Sequence, residues 1–117
     1  MNRGLRGADW VADNRNVAIG DSRNVTIFDY EEDGVYQAHY LKNEDTGRAM
    51  LDRIKSAYST MFEQHGAKVI FGLVPEDRRD VNLVARWTGA RSHGLRLTEH
   101  GFCELFILTR PMWEKFS

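Results

Sequence analysis

The sequence predicts an α/β protein, α+β in some schemes, in which a mixed and mostly antiparallel sheet carries two main helices. Three observations support this fold class. Strand and helix patterns follow one another in the order β, β, β, α, β, α, β, β. The central strand–helix–strand unit favours a parallel crossover, and the flanking hairpins must be antiparallel.

The 117 residues contain no linker-like segment or repeat, so we expect a single domain over 1–117.

The first third of the chain is predicted to be mainly β-structure. A short helix at 5–12 precedes a short strand at 16–19. Residues 24–30 and 35–41 are rich in β-branched and aromatic residues. The acidic segment 31–34 between them ends in glycine, which is typical of a turn, so these two strands are expected to form a hairpin.

The longest element follows, and the spacing of its apolar residues predicts a helix. Its cap is Asp45 or Thr46, and Gly66 ends it in the position where a left-handed residue is favoured. The apolar positions at helical spacing are Met50, Leu51, Ile54, Ala57, Tyr58, Met61 and Phe62.

The remaining elements are a strand, a short helix and a second hairpin. The strand at 67–74 is apolar on both sides and stops at Pro75, as expected of a central strand with both faces covered. A second helix is predicted over about 78–88. The segments 92–98 and 102–109 then form the closing hairpin.

Composition excludes several classes of function. Lys and Arg number 16 against 17 Asp and Glu, so a nucleic-acid partner bound by overall positive charge is not expected. The apolar run 105–108 is far shorter than the roughly 20 residues that cross a bilayer, and the polar start is unlike a signal peptide, so we expect a cytoplasmic protein with no membrane partner. Cys103 is the single cysteine and the histidines are scattered, so neither a disulfide nor a metal site is expected.

The junction at 40–49 takes a strand directly into the long helix. Gly47 and Ala49 are small, and free N–H groups at a helix start bind phosphate. A Gly-x-Ala opening of a long helix, followed by a strand, a short helix and a hairpin, resembles the GNAT family of N-acetyltransferases over about residues 24 to 110. The resemblance implies a shortened GNAT domain that binds acetyl-CoA. The cofactor-binding residues that it implies at this junction are Leu41, Asp45, Thr46, Gly47, Arg48 and Ala49.

A narrower resemblance is to small GNAT-like proteins of tailed phages, some labelled head-assembly proteins and others acetyltransferases. It is carried by residues 9–13, 35–40, 47–49, 61–62 and 74–75, with Arg79, Arg86 and Gly89 following. It implies a phage origin, with the protein in the host cytoplasm or the virion. The sequence leaves open whether the protein binds a host or virion protein. It also leaves open whether a homodimer completes the acceptor site.

The sequence departs from the GNAT pattern at three places. Glu44 and Asp45 are acidic where a pyrophosphate is expected, so the loop could cap its own helix and repel phosphate. Ala85 stands where many GNAT enzymes have the tyrosine that acts as general acid. Arg78 or Arg79 stands where many GNAT enzymes have an asparagine early in the second helix. These arginines could assist phosphate, although pairing with acidic neighbours is the favoured interpretation.

His39 and Tyr40 are the candidate catalytic residues. Acetyl transfer requires a neutral amine, and His39, on the strand leading into the loop, is the best-placed base. A half-buried structural histidine is an equally open interpretation. Tyr40 shares a strand face with Tyr36 and is either an acid, a wall of the substrate site or a core residue.

Two functions from different classes therefore follow from the sequence. The first is transfer of an acetyl group from acetyl-CoA to an amine. The alternative is a catalytically silent GNAT-fold phage protein that binds a host enzyme or assists head assembly, because one fold hosts many functions.

Overall fold

The computed structural model describes residues 15–116, so the helix predicted at 5–12 lies outside the described residues. These residues form one six-stranded sheet and three helices. The elements in chain order are β1 Val17–Gly20, β2 Asn24–Glu32, β3 Val35–Asn43, α1 Gly47–Gln64, β4 Val69–Pro75, α2 Arg79–Trp87, β5 Arg91–Thr98, β6 Gly101–Thr109 and α3 Arg110–Phe116. The predicted α+β class and the order of elements are confirmed.

The strands lie in the order β1-β2-β3-β4-β6-β5. Every neighbouring pair is antiparallel except β3 and β4, which are parallel because α1 carries the chain across between them. The parallel pairing is short and runs only from Val35↔Val69 to Gln37↔Phe71. Both strands continue beyond it, to Asn43 and Pro75, without pairing to each other.

Helices α1 and α2 pack on the same face of the sheet. The buried residues of α1 are those at the predicted apolar positions apart from Leu51, which is partly buried. They contact strand residues of one face, among them Phe28, Ile70 and Leu108. On the other face Phe71 and Leu73 are only half-buried, so the prediction that both faces of this strand are fully covered is wrong for the described residues.

The described residues end in a third helix that the sequence patterns did not predict. Seven residues from Arg110 to Phe116 form α3, which places Trp113 against the core at 9% exposure. The indole stacks on the Phe62 ring, with centroids 5.2 Å apart and planes 27° from parallel. Trp113 therefore closes the core at this end of the helix α1.

We expect Trp113→Ala to lower the free energy of unfolding by about 3 to 5 kcal/mol, because it removes a large buried aromatic side chain and its stack. Chemical denaturation followed by circular dichroism measures the change. Trp87, at 53% exposure, supplies the matched control, and Trp87→Ala is expected to change stability by less than about 1 kcal/mol. Equal losses in the two variants would contradict the packing described above.

Candidate functional site

A cleft opens where β3 and β4 separate. It has a volume of about 360 Å³ and is lined by both strands, α1, α2 and β6. Gly72 lies at its narrow end, where a Cβ atom would come 3.7 Å from the Ala38 carbonyl oxygen. Ala85 of α2, at the position where the sequence resemblance implies a general acid, also lines the cleft and presents only a methyl group. Backbone groups that have lost their strand partner thus border a space that a ligand can fill.

Two tyrosine hydroxyls meet inside this cleft. Tyr40 Oη lies 2.7 Å from Tyr58 Oη of α1, and both residues line the cleft. Burial raises the pKa of Tyr40 to about 12 and raises the pKa of Tyr58 as well. Both phenols are therefore protonated at neutral pH. One hydroxyl proton is used between them, and the other can be donated to a ligand.

His39 points to the opposite face of the sheet and binds a buried carboxylate. Its Nε2 lies 3.0 Å from Asp29 Oδ2, and the Asp29 side chain is 0% exposed. Asp29 is diagonal to His39 on the neighbouring strand, since the register pairs Ile27 with His39 and Asp29 with Gln37. Burial lowers the pKa of His39, and Asp29 opposes this shift. The ring is thus held in place by a carboxylate and is predominantly neutral at pH 7.

A second concavity of about 620 Å³ lies beyond His39, on the sheet face away from the helices. We call it the outer concavity. Its lining residues include Gln37, His39, Leu73, Pro75, Thr98, Glu99, His100 and Cys103. His39, Leu73 and Pro75 line the cleft as well. The two spaces therefore border the same part of β3 and β4.

The loop into α1 is held by its neighbours and does not cap its own helix. The N–H groups of Glu44 and Asp45 both donate to Asn24 Oδ1 at 2.9 Å. Thr46 occupies the N-cap position, and no side chain makes a capping hydrogen bond there. The self-capping interpretation is wrong. The first N–H groups of α1, in Gly47, Arg48 and Ala49, are left without a side-chain acceptor.

The acidic charge of this loop is offset by arginines. Arg53 Nε lies 2.8 Å from Asp45 Oδ2, and Arg53 Nη1 lies 3.3 Å from Asp21 Oδ2. Arg23 Nε is 3.8 Å from Glu44 Oε2. Asp45, predicted to bind cofactor, thus directs its carboxylate to α1 rather than to the helix end.

The remaining candidate cations lie at the surface. Arg48 is paired with Asp52 one turn along α1, at 3.4 Å. Arg78 lines the cleft and makes two 3.2 Å hydrogen bonds to Asp80, which confirms the expected acidic pairing. Arg79 begins α2 and is exposed. Leu41, the remaining predicted cofactor-binding residue, lies near the C-terminal end of β3, in the part that does not pair with β4.

Sequence reasoning missed three residues that build this site. Asp29 and Tyr58 supply partners to the two candidate catalytic residues, and Asn24 fixes the loop. A polar residue within a β-rich segment was the available signal for Asp29 and Asn24. Within residues 15–116 no group of three or more His, Cys, Asp or Glu side chains could hold a metal ion, and no helix there is long and apolar enough to cross a membrane.

Solved structures share this architecture. The aminoglycoside acetyltransferase AAC(6')-Ib in complex with coenzyme A aligns over 90% of this chain and 72% of its own, at 13% identity and a TM-score of 0.71. RimJ of Mycobacterium smegmatis in complex with CoA-disulfide aligns over 89% of this chain and 59% of its own, at 14% identity and a TM-score of 0.76. A chimera of the spermidine N-acetyltransferase SpeG from Vibrio cholerae with hSSAT aligns over 92% of this chain and 74% of its own, at 10% identity and a TM-score of 0.74.

These comparisons establish the fold. No protein-family model matches the chain, and no curated protein sequence matches it significantly. At identities this low the structural likeness shows a shared fold alone. The chain thus has a GNAT-like fold, as the sequence resemblance implies.

The burial of His39 makes stability depend on pH. Its pKa is lowered from 6.5 in the folded protein, so the unfolded chain binds the proton more readily. The free energy of unfolding should therefore fall as pH is lowered through 6.5 toward the folded pKa, and this contribution of His39 is fully present above 6.5.

Urea denaturation between neutral and mildly acidic pH tests this. The slope of stability against pH should be smaller in His39→Gln than in the wild type, with the exposed His93→Gln as the matched control. Identical slopes in His39→Gln and the wild type would contradict the prediction.

Proposed function

We propose that this protein transfers an acetyl group from acetyl-CoA to an amine. The observation that carries the proposal is the splay of β3 and β4, which brings a buried hydroxyl pair to one side of β3 and a histidine–aspartate pair to the other. The coenzyme A complexes of AAC(6')-Ib and RimJ, which have this fold, support the choice of acyl donor.

The cleft and the adjoining loop fit an acyl-CoA. The apolar walls of the cleft suit a pantetheine arm, and the edge of residues 38–40 that faces away from β2 has no β4 partner and can hydrogen-bond its amides. The uncapped N–H groups of Gly47, Arg48 and Ala49 suit the pyrophosphate, with Asp45 and Thr46 shaping the loop. Arg78 and Arg79 can balance phosphate charge at the start of α2.

The side chains on the two faces of β3 then have different roles in the transfer, one towards the amine and one towards the leaving thiolate. Acetyl-CoA supplies an acyl group activated as a thioester. A bond forms from the amine nitrogen to the acyl carbon as the carbon–sulfur bond breaks. His39 accepts the proton that the nitrogen loses, and Asp29 holds the ring and stabilises its charged form. The leaving thiolate accepts a hydrogen bond from the Tyr40–Tyr58 hydroxyl pair, which stays protonated, and the proton taken up by His39 passes to solvent, from which the thiolate is protonated, so amide and thiol are the products.

The hydroxyl pair can take the role of the tyrosine that Ala85 replaces. A neutral phenol next to the departing sulfur stabilises negative charge whichever element carries it. Tyr40 and Tyr58 line the same cleft as Ala85, and burial keeps both protonated. This arrangement supports catalysis without the usual tyrosine of the second helix.

A binding protein that has kept the fold and lost the chemistry is the second candidate. Ala85 in place of the usual acid, and the acidic residues Glu44 and Asp45 in the loop, favour it. Together with the sequence resemblance to tailed-phage proteins, they support a phage protein of the host cytoplasm that binds a host enzyme or assists head assembly. Turnover of acetyl-CoA with an amine would exclude this candidate.

Calorimetric titration with acetyl-CoA tests the cleft without any choice of acceptor. Gly72→Val should weaken binding by about 10-fold or more, because a branched side chain fills the narrow end of the splay. Gly72→Ala is the matched control, since its single methyl group has ordinary contact distance to Ala38. Equal affinity in the wild type and Gly72→Val would place the donor elsewhere.

His39→Gln should lower kcat by about 10²- to 10⁴-fold, because the amine proton loses its acceptor. The dissociation constant for acetyl-CoA should stay unchanged. Steady-state kinetics with thiol detection and calorimetry separate the two quantities. Unchanged kcat in a folded His39→Gln variant would remove His39 from the mechanism.

A further inference from the structure

Strand β5 forms one edge of the sheet, and among the described residues it pairs with β6 alone. Seven of its eight residues are exposed. In an antiparallel pair every second residue turns its N–H and C=O groups away from the partner strand. Thr98 and Gly101 close the turn to β6, so alternation assigns outward groups to Leu97 and Leu95. In agreement, the Leu95 carbonyl oxygen accepts a hydrogen bond from Arg96 Nη1 at 3.0 Å. The outer edge of β5 thus offers backbone hydrogen bonds to a further strand.

Three large apolar side chains lie beside this edge. Leu95 pairs with Glu104, and Leu97 pairs with Phe102. Glu104 accepts a hydrogen bond from Asn82 of α2, so these four residues of the hairpin lie on the helix side of the sheet. Leu95 and Phe102 are 51% exposed, and Leu97 is 74% exposed. We call these three residues the apolar patch. Exposed apolar groups that adjoin one another favour contact with a partner.

The charges along this edge are positive. Strand β5 contains Arg91 and Arg96 and no carboxylate. A concavity of about 320 Å³ at the start of the strand, the basic concavity, is lined by Arg86, Arg91 and Lys115 and by no acidic residue. Arg86 Nη2 lies 2.7 Å from Glu104 Oε2. Within residues 15–116, Arg91 and Lys115 form no ion pair. The edge is therefore complementary to a partner that carries carboxylates.

The three features together favour an extended peptide over other partners. A row of outward N–H and C=O groups matches the backbone of a peptide, which adds as a strand. A nucleic acid would neutralise the cations but would leave the backbone edge and the apolar patch without a match. A second copy of β5 would bring the same two arginines and no acidic residue, and like charges opposite each other destabilise a strand pair.

We propose that β5 is a docking edge for an extended segment of a partner protein in which acidic and apolar residues alternate. The segment adds as a seventh strand of the sheet, with its apolar side chains on the apolar patch and its carboxylates at Arg96 and the basic concavity. The cleft is lined by residues outside β5, so this inference does not depend on acetyl transfer.

Three synthetic peptides of the length of β5, acetylated and amidated at their ends, test the proposal by calorimetry. In the first, valine and glutamate alternate. The second has the same composition with the two residue types in separate blocks, and in the third valine and lysine alternate. We expect the first peptide to bind at least about 10-fold more tightly than either of the others, and less tightly as salt is raised. Equal affinity for all three would overturn the proposal.

Hydrogen exchange locates the bound peptide. At saturation the first peptide should slow exchange of the Leu95 and Leu97 amides by about 10-fold or more, because their N–H groups become hydrogen-bonded. The amides of β1, at the other edge of the sheet, are the internal control. Slower exchange at β1 with none at β5 would overturn the assignment of the edge.

Charge reversal tests the role of Arg96. Arg96→Glu should weaken binding of the glutamate peptide by about 10-fold and strengthen binding of the lysine peptide. Arg23→Glu is the matched control, since Arg23 is exposed and lies just ahead of β2, away from β5. Leu97→Asp, which keeps the backbone edge, should also weaken the glutamate peptide by about 10-fold. Equal effects of Arg96→Glu and Arg23→Glu would overturn the site.

Other occupants of the edge give different results. A dimer seen by analytical ultracentrifugation and dissociated by Leu97→Asp would make a second copy the occupant. Tighter binding of a single-stranded RNA than of the glutamate peptide, lost in Arg96→Glu, would make the edge a nucleic-acid site. Either result would overturn the proposal of an acidic peptide partner.

Discussion

The separation of β3 from β4 is the constraint on which the rest of the site depends. These strands share only three residue pairs before they diverge, although each continues well beyond that point. Backbone N–H and C=O groups in the gap must find other partners, in water or in a ligand. The divergence also separates the side chains that would close the sheet, so the cleft and the outer concavity both exist because of it. A fully paired sheet of the same sequence would have no site.

Charge at the loop shows how a phosphate-binding geometry can coexist with acidic residues. Each ion pair there is partly exposed, and such pairs contribute little to stability. Their effect is to turn the carboxylates of Asp45 and Glu44 toward Arg53 and Arg23. The positive end of the helix dipole, at the start of α1, is then not neutralised by these carboxylates. The sequence alone left self-capping open, because it shows where a carboxylate occurs along the chain and not where the carboxylate points.

Local signals were sufficient for most of the fold. The apolar spacing of α1 and the glycine at 66, which adopts a φ of 68°, predict the helix and its end. The site was predicted only in part, because its pairs depend on register between strands. Asp29 reaches His39 across two strands whose pairing shifts at irregularities between Val25 and Thr26 and between Tyr30 and Glu32, and no sequence pattern fixes such shifts. Helix α3 likewise places Trp113 on Phe62, a contact between distant parts of the chain that no local sequence pattern predicts.

Strand β3 acts as the partition between the two halves of this site. His39 and Tyr40 are neighbours in the chain, yet the pleat directs one to each face of the sheet. Gain or loss of a single residue in β3 ahead of them would exchange their faces, with the imidazole among the helices and the phenol beside Asp29. Only changes of two residues would preserve the arrangement. The length of this strand is therefore under a parity constraint, and any natural variation of the fold that keeps the chemistry must respect it.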